Sequence, residues 1–225
     1  MITAQHRAWA HWLFRPYLRW LCKRRFHALE LLGDIPELPD SMPILLAPNH
    51  ATWWDGFFPY LLNDRVFRRK YYIMMLEHRL REFWFFRLLG AFSINQQSPK
   101  GIVETLSYTA SLLSSSRKKG ETPLVVMFPQ GELRPSELRP LGYNRGIERV
   151  VSKTTVPLAV VPLAVRCVFL SEEKPFVFME CGTPHILTPD STLSAPMLEQ
   201  EMSDLLERLQ QRIIASERGR SMLGK

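Results

Sequence analysis

The stretch Ile44-Leu45-Leu46-Ala47-Pro48-Asn49-His50-Ala51-Thr52-Trp53-Trp54-Asp55 decides how the rest of the chain is read. Ile44 to Ala47 is a short apolar run of the kind that forms a buried strand, and Pro48 ends it. A histidine follows, and an aspartate five positions after it. On a regular helix five residues turn through about 500°, leaving the two side chains roughly 140° apart and out of reach. They meet if His50 lies in the turn leaving the strand and Asp55 in or near the first helical turn. Pro59 supports a helix start at that place. Asp55 then holds one imidazole nitrogen and leaves the other free to take a proton from a hydroxyl. His50 as general base and Asp55 as its orienting partner are the candidate catalytic pair. The same spacing also arises by chance in chains where it does no chemistry.

A chain of 225 residues has room for one domain with a sizeable core and a small appended element. A hydrophobic fraction of 46% with 11 glycines and 17 prolines is globular rather than disordered. The three cysteines, Cys22, Cys167 and Cys181, lack metal-ligand spacing, and their odd number argues against a disulfide framework. A reducing compartment is expected, with no metal. The formal charge of +7 points to a polyanionic surface, nucleic acid or anionic lipid. Without an aromatic-rich RNA signature or zinc-finger spacing, the reading excludes nucleic acid and takes lipid.

Residues 1–30 are expected to form an N-terminal interfacial helical element. Trp9, Trp12, Leu13, Phe14, Tyr17, Leu18, Trp20 and Leu21 are interleaved with Arg7, Arg15, Arg19, Lys23, Arg24 and Arg25, and no acidic residue precedes Glu30. The charges leave no apolar run near the roughly 20 residues of a spanning helix, nor the apolar core of a signal peptide. Tryptophan with arginine is the composition of an amphipathic helix lying among lipid headgroups. Pro16 is expected to kink that helix or split it. The competing reading packs the helix on the protein's own core with its arginines in water.

Beyond it, Leu32 to Pro43 reads as a connection, Ile44 to Ala47 as the first core strand, and a helix runs to about Leu62. Lys70 to Met75, Gly90 to Ile94, Leu124 to Phe128, Val156 to Val165 and Phe176 to Glu180 read as strands. Leu80 to Leu89 reads as a short aromatic helix, either core or a second lipid-facing surface. Pro99 opens a helix to about Ser116, closed by Arg117-Lys118-Lys119 and Gly120. From Ser194, a candidate N-cap, apolar residues recur at helical spacing to Ile213. Alternating strands and helices imply an α/β fold, one domain with a largely parallel mixed sheet flanked by helices, its sites at the strands' carboxyl ends. His50 and the segment Phe128-Pro129-Gln130-Gly131-Glu132-Leu133-Arg134 both fall at such ends. Gly131 lets backbone approach a ligand, and Arg134, Arg139 and Arg145 follow within reach of an anion. An ordinary polar loop is the alternative.

Four elements in this order resemble the glycerolipid acyltransferase family, which includes bacterial lysophosphatidic acid acyltransferases. Asn49-His50 with Asp55 matches its His-x4-Asp signature. Gly90-Ala91-Phe92-Ser93-Ile94-Asn95-Gln96 is similar to its second block and Phe128-Pro129-Gln130-Gly131-Glu132 to its third, Phe-Pro-Glu-Gly-Thr-Arg. Val156 to Val165 is similar to its proline-bearing apolar block. The resemblance implies that residues 31–225 are an acyltransferase domain. Such an enzyme moves a fatty acyl group from acyl-CoA or acyl carrier protein, the donor substrate, to a lipid hydroxyl, and needs no cofactor. It implies His50 as base and Asp55 as orienter, with the acceptor bound by Asn49, Gln96, Phe128, Pro129, Gln130, Gly131, Glu132, Arg134 and Arg145. A thioester is already activated, so a base, an oxyanion donor and positioning suffice. The expected location is peripheral (monotopic), on the cytoplasmic face of a membrane.

The departures bear on the acceptor. Where members with phosphate-bearing acceptors usually carry Arg, this chain has Gln96. In the third block Gln130 replaces Glu, Glu132 replaces Thr, Leu133 takes the Arg position, and Arg134 is one place late. Two anions about 4 Å apart repel by about 4 kcal/mol at an effective dielectric of 20, so an unpaired Glu132 disfavours phosphate. Amides and carboxylates suit neutral hydroxyls. The expectations are therefore a 1-acyl-glycerol-3-phosphate-like acceptor, with Arg134, Arg139 and Arg145 rebuilding the anion site, or a neutral glycolipid or glycosylated isoprenoid. A catalytically silent lipid-binding protein of the same fold, and a hydrolase using His50 on water, are the competing classes.

Overall fold

In the computed structural model, which describes residues 1–115 and 121–224, nine strands form one mixed sheet. The strands are β1 (Ala28–Leu32), β2 (Ile44–Pro48), β3 (Lys70–Leu76), β4 (Ala91–Ile94), β5 (Pro123–Val126), β6 (Leu158–Val168), β7 (Phe176–Cys181), β8 (His185–Leu187) and β9 (Arg220–Ser221). Their order is β4-β3-β5-β2-β6-β7-β1-β9, with β8 beside β6. β2 runs parallel to both β5 and β6, and β3 parallel to β4 and β5, whereas β7 and β8 run antiparallel to β6. This is the expected α/β fold, a largely parallel mixed sheet flanked by helices.

The period-two alternation of β2 builds both layers. Ile44 and Leu46 face the helix α1 (Ala8–Arg25) through its buried Ala10, Phe14, Leu18 and Cys22. Leu45 and Ala47 face α4 (Pro99–Leu113), α5 (Gly146–Lys153) and the first turns of α6 (Ala195–Ile214). Between them in sequence, α2 (Phe58–Leu62) and α3 (Glu77–Glu82) complete the helices. Ser98 and Ser194 cap α4 and α6, their hydroxyls accepting from Gly101 N–H and Met197 N–H.

Several details differ from expectation. Of the two alternatives at Pro16, the split does not occur: α1 is one continuous helix with Pro16 inside it. Pro16 is exposed, so the carbonyl it deprives of a partner meets water, while Phe14 and Leu18 pack both halves onto the sheet. The strand β1 precedes the one expected first. It is five residues long with Glu30 at its centre, and its partner β7 lies far along the chain. The aromatic stretch after β3 is α3 followed by a 3₁₀ turn, Trp84–Leu88, rather than one helix. The helix expected to run to about Ser116 ends earlier, at Leu113, and the stop expected at Arg117 to Gly120 lies outside the described residues. At the open edge, residues 2–7 run along β4 and the preceding turn. Ser93 N–H donates to Ile2 O at 2.9 Å, Ile2 N–H to Ser93 Oγ at 2.7 Å, and His6 bridges to Leu89. The chain's own start thereby covers an edge that would otherwise present unpaired backbone.

Candidate active site

β2 ends at Pro48, and the next residue fixes where its exit turn lies. Asn49, only 2% exposed, accepts from Val165 N–H at 2.7 Å through Oδ1 and donates to Val165 O at 3.1 Å through Nδ2. A side-chain amide here copies a strand's own pairing and pins the turn to β6.

His50 comes next. Its Nδ1 lies 3.1 Å from Asp55 Oδ2. Asp55 sits in a 3₁₀ turn, Trp53–Gly56, as the spacing requires, and is 2% exposed. Its carboxylate also accepts from Ala51 N–H at 2.6 Å, Thr52 N–H at 2.7 Å and Thr52 Oγ at 2.6 Å. A buried carboxylate is tolerated because its lone pairs are used in this way. Facing only acceptors, Nδ1 is the protonated nitrogen, which leaves Nε2 with its lone pair. Nε2 has no hydrogen bond among the described residues, and the His50 side chain is 22% exposed. The ring stacks on Phe128, centroids 4.1 Å apart and planes 22° apart, which sets its tilt.

The segment after β5 closes over this turn. Gln130, 3% exposed, accepts from His50 N–H through Oε1 at 2.6 Å, and Arg134 N–H donates to His50 O at 2.9 Å. Asn144 ties the segment down, its Nδ2 donating to Gln130 O at 2.9 Å and its N–H to Pro129 O at 2.8 Å. Gln96, from the end of β4, donates through Nε2 to Gly131 O at 2.7 Å. Gly131 has φ +73°, which a side chain would strain. Arg134 turns back on Glu132, whose Oε1 accepts from Nε at 3.0 Å and from Nη2 at 2.7 Å. Its guanidinium fills the space where Gly142 lacks a Cβ. Arg145 precedes α5 with an exposed side chain and no ion pair among the described residues.

The structure thus brings His50, Asp55, Asn49, Gln96, Phe128, Pro129, Gln130, Gly131 and Arg134 into one assembly, with Arg145 next to Asn144 on its rim. Two placements differ from expectation. Glu132 is paired rather than a bare charge, and Asn49 spends both amide atoms on the backbone of β6. Thr52 and Asn144 went unnoticed in the sequence: the first needed the turn, the second a partner 14 residues away. Cys167 lies near enough for the charge of Asp55 to act on its thiol, which burial first and then that charge raise. Nothing in that setting activates the thiol toward thiolate.

Fold and turn together define an α/β protein with a histidine–aspartate pair at the exit of a central parallel strand. The Acyltransferase family model matches residues 31–166, and the chain belongs to that family. Among solved structures it is similar to the 1-acyl-sn-glycerophosphate (LPA) acyltransferase PlsC from Thermotoga maritima, with a TM-score of 0.56 and 16% identity. The match covers 89% of this chain and 79% of that one, and the likeness is one of fold. No curated protein matches the sequence.

Proposed function

We propose that this acyltransferase moves a fatty acyl group from acyl-CoA or acyl carrier protein to a hydroxyl of a lipid at a membrane surface. The observation that carries the reading is His50, bound to Asp55 through Nδ1 and open at Nε2. The acceptor hydroxyl gives its proton to Nε2 while its oxygen attacks the thioester carbon. Asp55 stabilises the imidazolium. Collapse of the tetrahedral intermediate expels the thiolate, which takes the proton back, leaving ester, free thiol and neutral His50. No covalent acyl-enzyme is needed, in keeping with the absence of an activated Ser or Cys among the residues described here.

The outer face of α1 supports membrane docking. Trp9, Trp12, Leu13, Tyr17 and Trp20 are exposed, Trp12 by 74%. Ring contacts run from Trp20 through Tyr17, Phe14 and Phe57 to Trp53 in the catalytic turn, itself exposed. Of the cations, Arg15 and Arg19 are held by Asp64, whereas Arg7, Lys23, Arg24 and Arg25 carry no ion pair among the described residues. Those four suit anionic headgroups. No helix among the described residues is long and apolar enough to cross a membrane. A monotopic enzyme on the cytoplasmic face, where thioester donors are made, is the arrangement this favours.

For the acceptor, the fold neighbour named for 1-acyl-sn-glycerophosphate and the free Arg145 favour a lysophosphatidate-like lipid. A neutral glycolipid or glycosylated isoprenoid is favoured by one observation: Glu132 already occupies Arg134. Thioester consumption by the purified protein, with vesicles carrying either acceptor, tests the reading. His50→Ala should lower turnover by roughly 10²–10⁴ with the fold intact, and Asp55→Asn by less. Wild-type turnover by a folded His50→Ala would remove the base assignment. Equal turnover with and without acceptor would indicate a hydrolase.

A further inference from the structure

His50 lies between a strand that has ended and a 3₁₀ turn that has not begun, so neither element supplies a partner for its peptide. The segment after β5 supplies both. Gln130 Oε1 takes the His50 N–H at 2.6 Å, and the Arg134 N–H takes the His50 carbonyl at 2.9 Å. A backbone N–H only donates, so the oxygen end of the Gln130 amide has to face it. Gln130 is itself held, since Asn144 binds its carbonyl and the carbonyl of Pro129, and Gln96 binds that of Gly131. At 3% exposure it has little surface left to offer a lipid headgroup.

We infer that Gln130 is a positioning residue for acyl transfer: it fixes the main chain of His50, and through it the imidazole between Phe128 and Asp55, instead of binding the acceptor. The inference rests on His50 being the base. Remove the oxygen and the half-buried N–H of His50 loses its partner, so the peptide rotates to find another and carries the Cβ of His50 with it. A displacement of about 1 Å at a reacting group costs on the order of 10²-fold in rate. The useful property of Gln130 is therefore an acceptor oxygen at one point, which a glutamate side chain also provides.

That distinction sets the experiment, run on the full chain with a long-chain acyl-CoA and vesicles carrying either 1-acylglycerol 3-phosphate or a neutral glycolipid. Gln130→Met, similar in length but without the acceptor, should lower kcat roughly 30- to 100-fold and leave both KM values within about twofold. Gln130→Asn keeps an amide but draws its oxygen back by one methylene. It should lower kcat about tenfold, and it serves if the methionine variant fails to fold. Gln130→Glu should stay within about fivefold of wild type, because its carboxylate accepts the same N–H. In a His50→Ala background, Gln130→Asn should cost nothing further, since it acts only through the base.

Three results would overturn the inference. One is a tenfold or larger rise in acceptor KM at unchanged kcat. The second is a Gln130→Glu variant as slow as Gln130→Asn, which would mean that the amide N–H₂ matters. The third is the full Gln130→Asn loss persisting without His50. Each strikes Gln130 alone as long as His50→Ala is itself inactive; a fully active His50→Ala would strike the base assignment instead.

Discussion

α1 and α6 are amphipathic helices of 18 and 20 residues on opposite faces of one sheet, and they spend their apolar residues differently. α6 buries Leu198, Met202, Leu205, Leu206, Leu209 and Ile213, and the rest of its length is largely glutamate, glutamine and arginine. α1 buries a single row at every fourth position, Ala10, Phe14, Leu18 and Cys22, and leaves three tryptophans and a tyrosine outside. Core packing accounts for most of the apolar content of α6, with Met197 and Ile214 left exposed at its two ends. It accounts for less than half of that of α1, and the exposed surplus is largely aromatic, with Leu13 beside it, and flanked by arginine and lysine. A helix that only closed a core would have no use for that surplus.

Substitution inside α6 should give the largest effect on stability. Leu206 is fully buried among Leu205, Leu209, Ala164 and Phe178. Leu206→Ala should cost roughly 2–5 kcal/mol through lost transfer energy and the cavity left behind. Denaturant unfolding measures this, and vesicle binding of the folded fraction should not change. A variant that unfolds normally but loses vesicle binding would erase the contrast between the helices.

The two helices are also fastened differently. α6 is tied through Arg208 and Arg212 to Glu180, a buried carboxylate of β7. α1 has ion pairs too, Arg15 and Arg19 with Asp64, but adds a neutral chain that α6 lacks among the described residues: His6 Nδ1 lies 3.2 Å from His11 Nε2, and His11 Nδ1 lies 2.9 Å from the Tyr60 hydroxyl. Burial, then the charges of His11 and Lys70, lower the pKa of His6 from 6.5 to about 4, and burial lowers that of His11. An unfolded imidazole takes its proton near 6.5, whereas the folded His6 resists until about 4. The stability carried by the neutral form is therefore complete above about pH 6.5 and is lost as pH falls toward 4. The loss from His6 should reach at most about 3 kcal/mol. Thermal unfolding between pH 7 and 4.5 should show the decline, and His6→Gln should flatten it. An unchanged slope in that variant would place the acid sensitivity elsewhere.

How far these features were legible in the sequence follows the range over which each is determined. The strand before His50, the turn that joins it to Asp55, and the row of leucines in α6 are local patterns, and the structure has them as read. The strand β1 depends on pairing with β7, and β9 on pairing with β1, so neither could be seen in five or two residues. The site divides in the same way. His50 and Asp55 were readable from spacing, but the direction in which Gln130 points was not. A glutamine in a loop reads as a ligand group, and only the fold turned its oxygen onto the His50 peptide. The pairing of Arg134 with Glu132 is local yet was missed, because Gly142, which makes room for the guanidinium, comes from further along the chain.

The smallest effect is the one that separates the two faces of α1. Trp12 is among its most exposed residues, and the buried Phe14 lies two positions away on the opposite side. Phe14 packs against Tyr60, Phe57, Phe85 and Phe86, so Phe14→Ala belongs with the core substitutions. Trp12→Ala removes a ring that is 74% exposed and has no ring contact among the described residues, and folding stability should change by no more than about 0.5 kcal/mol. If that face meets a bilayer, the ring leaves water on docking, and its loss should weaken binding to anionic vesicles by about 1–2 kcal/mol, near tenfold in the partition coefficient. Co-sedimentation at low and high salt measures both parts of the interaction, since screening weakens the arginine and lysine contribution and leaves the aromatic one. Unchanged sedimentation together with a clear fall in thermal midpoint would make Trp12 a structural residue and return α1 to the same class as α6.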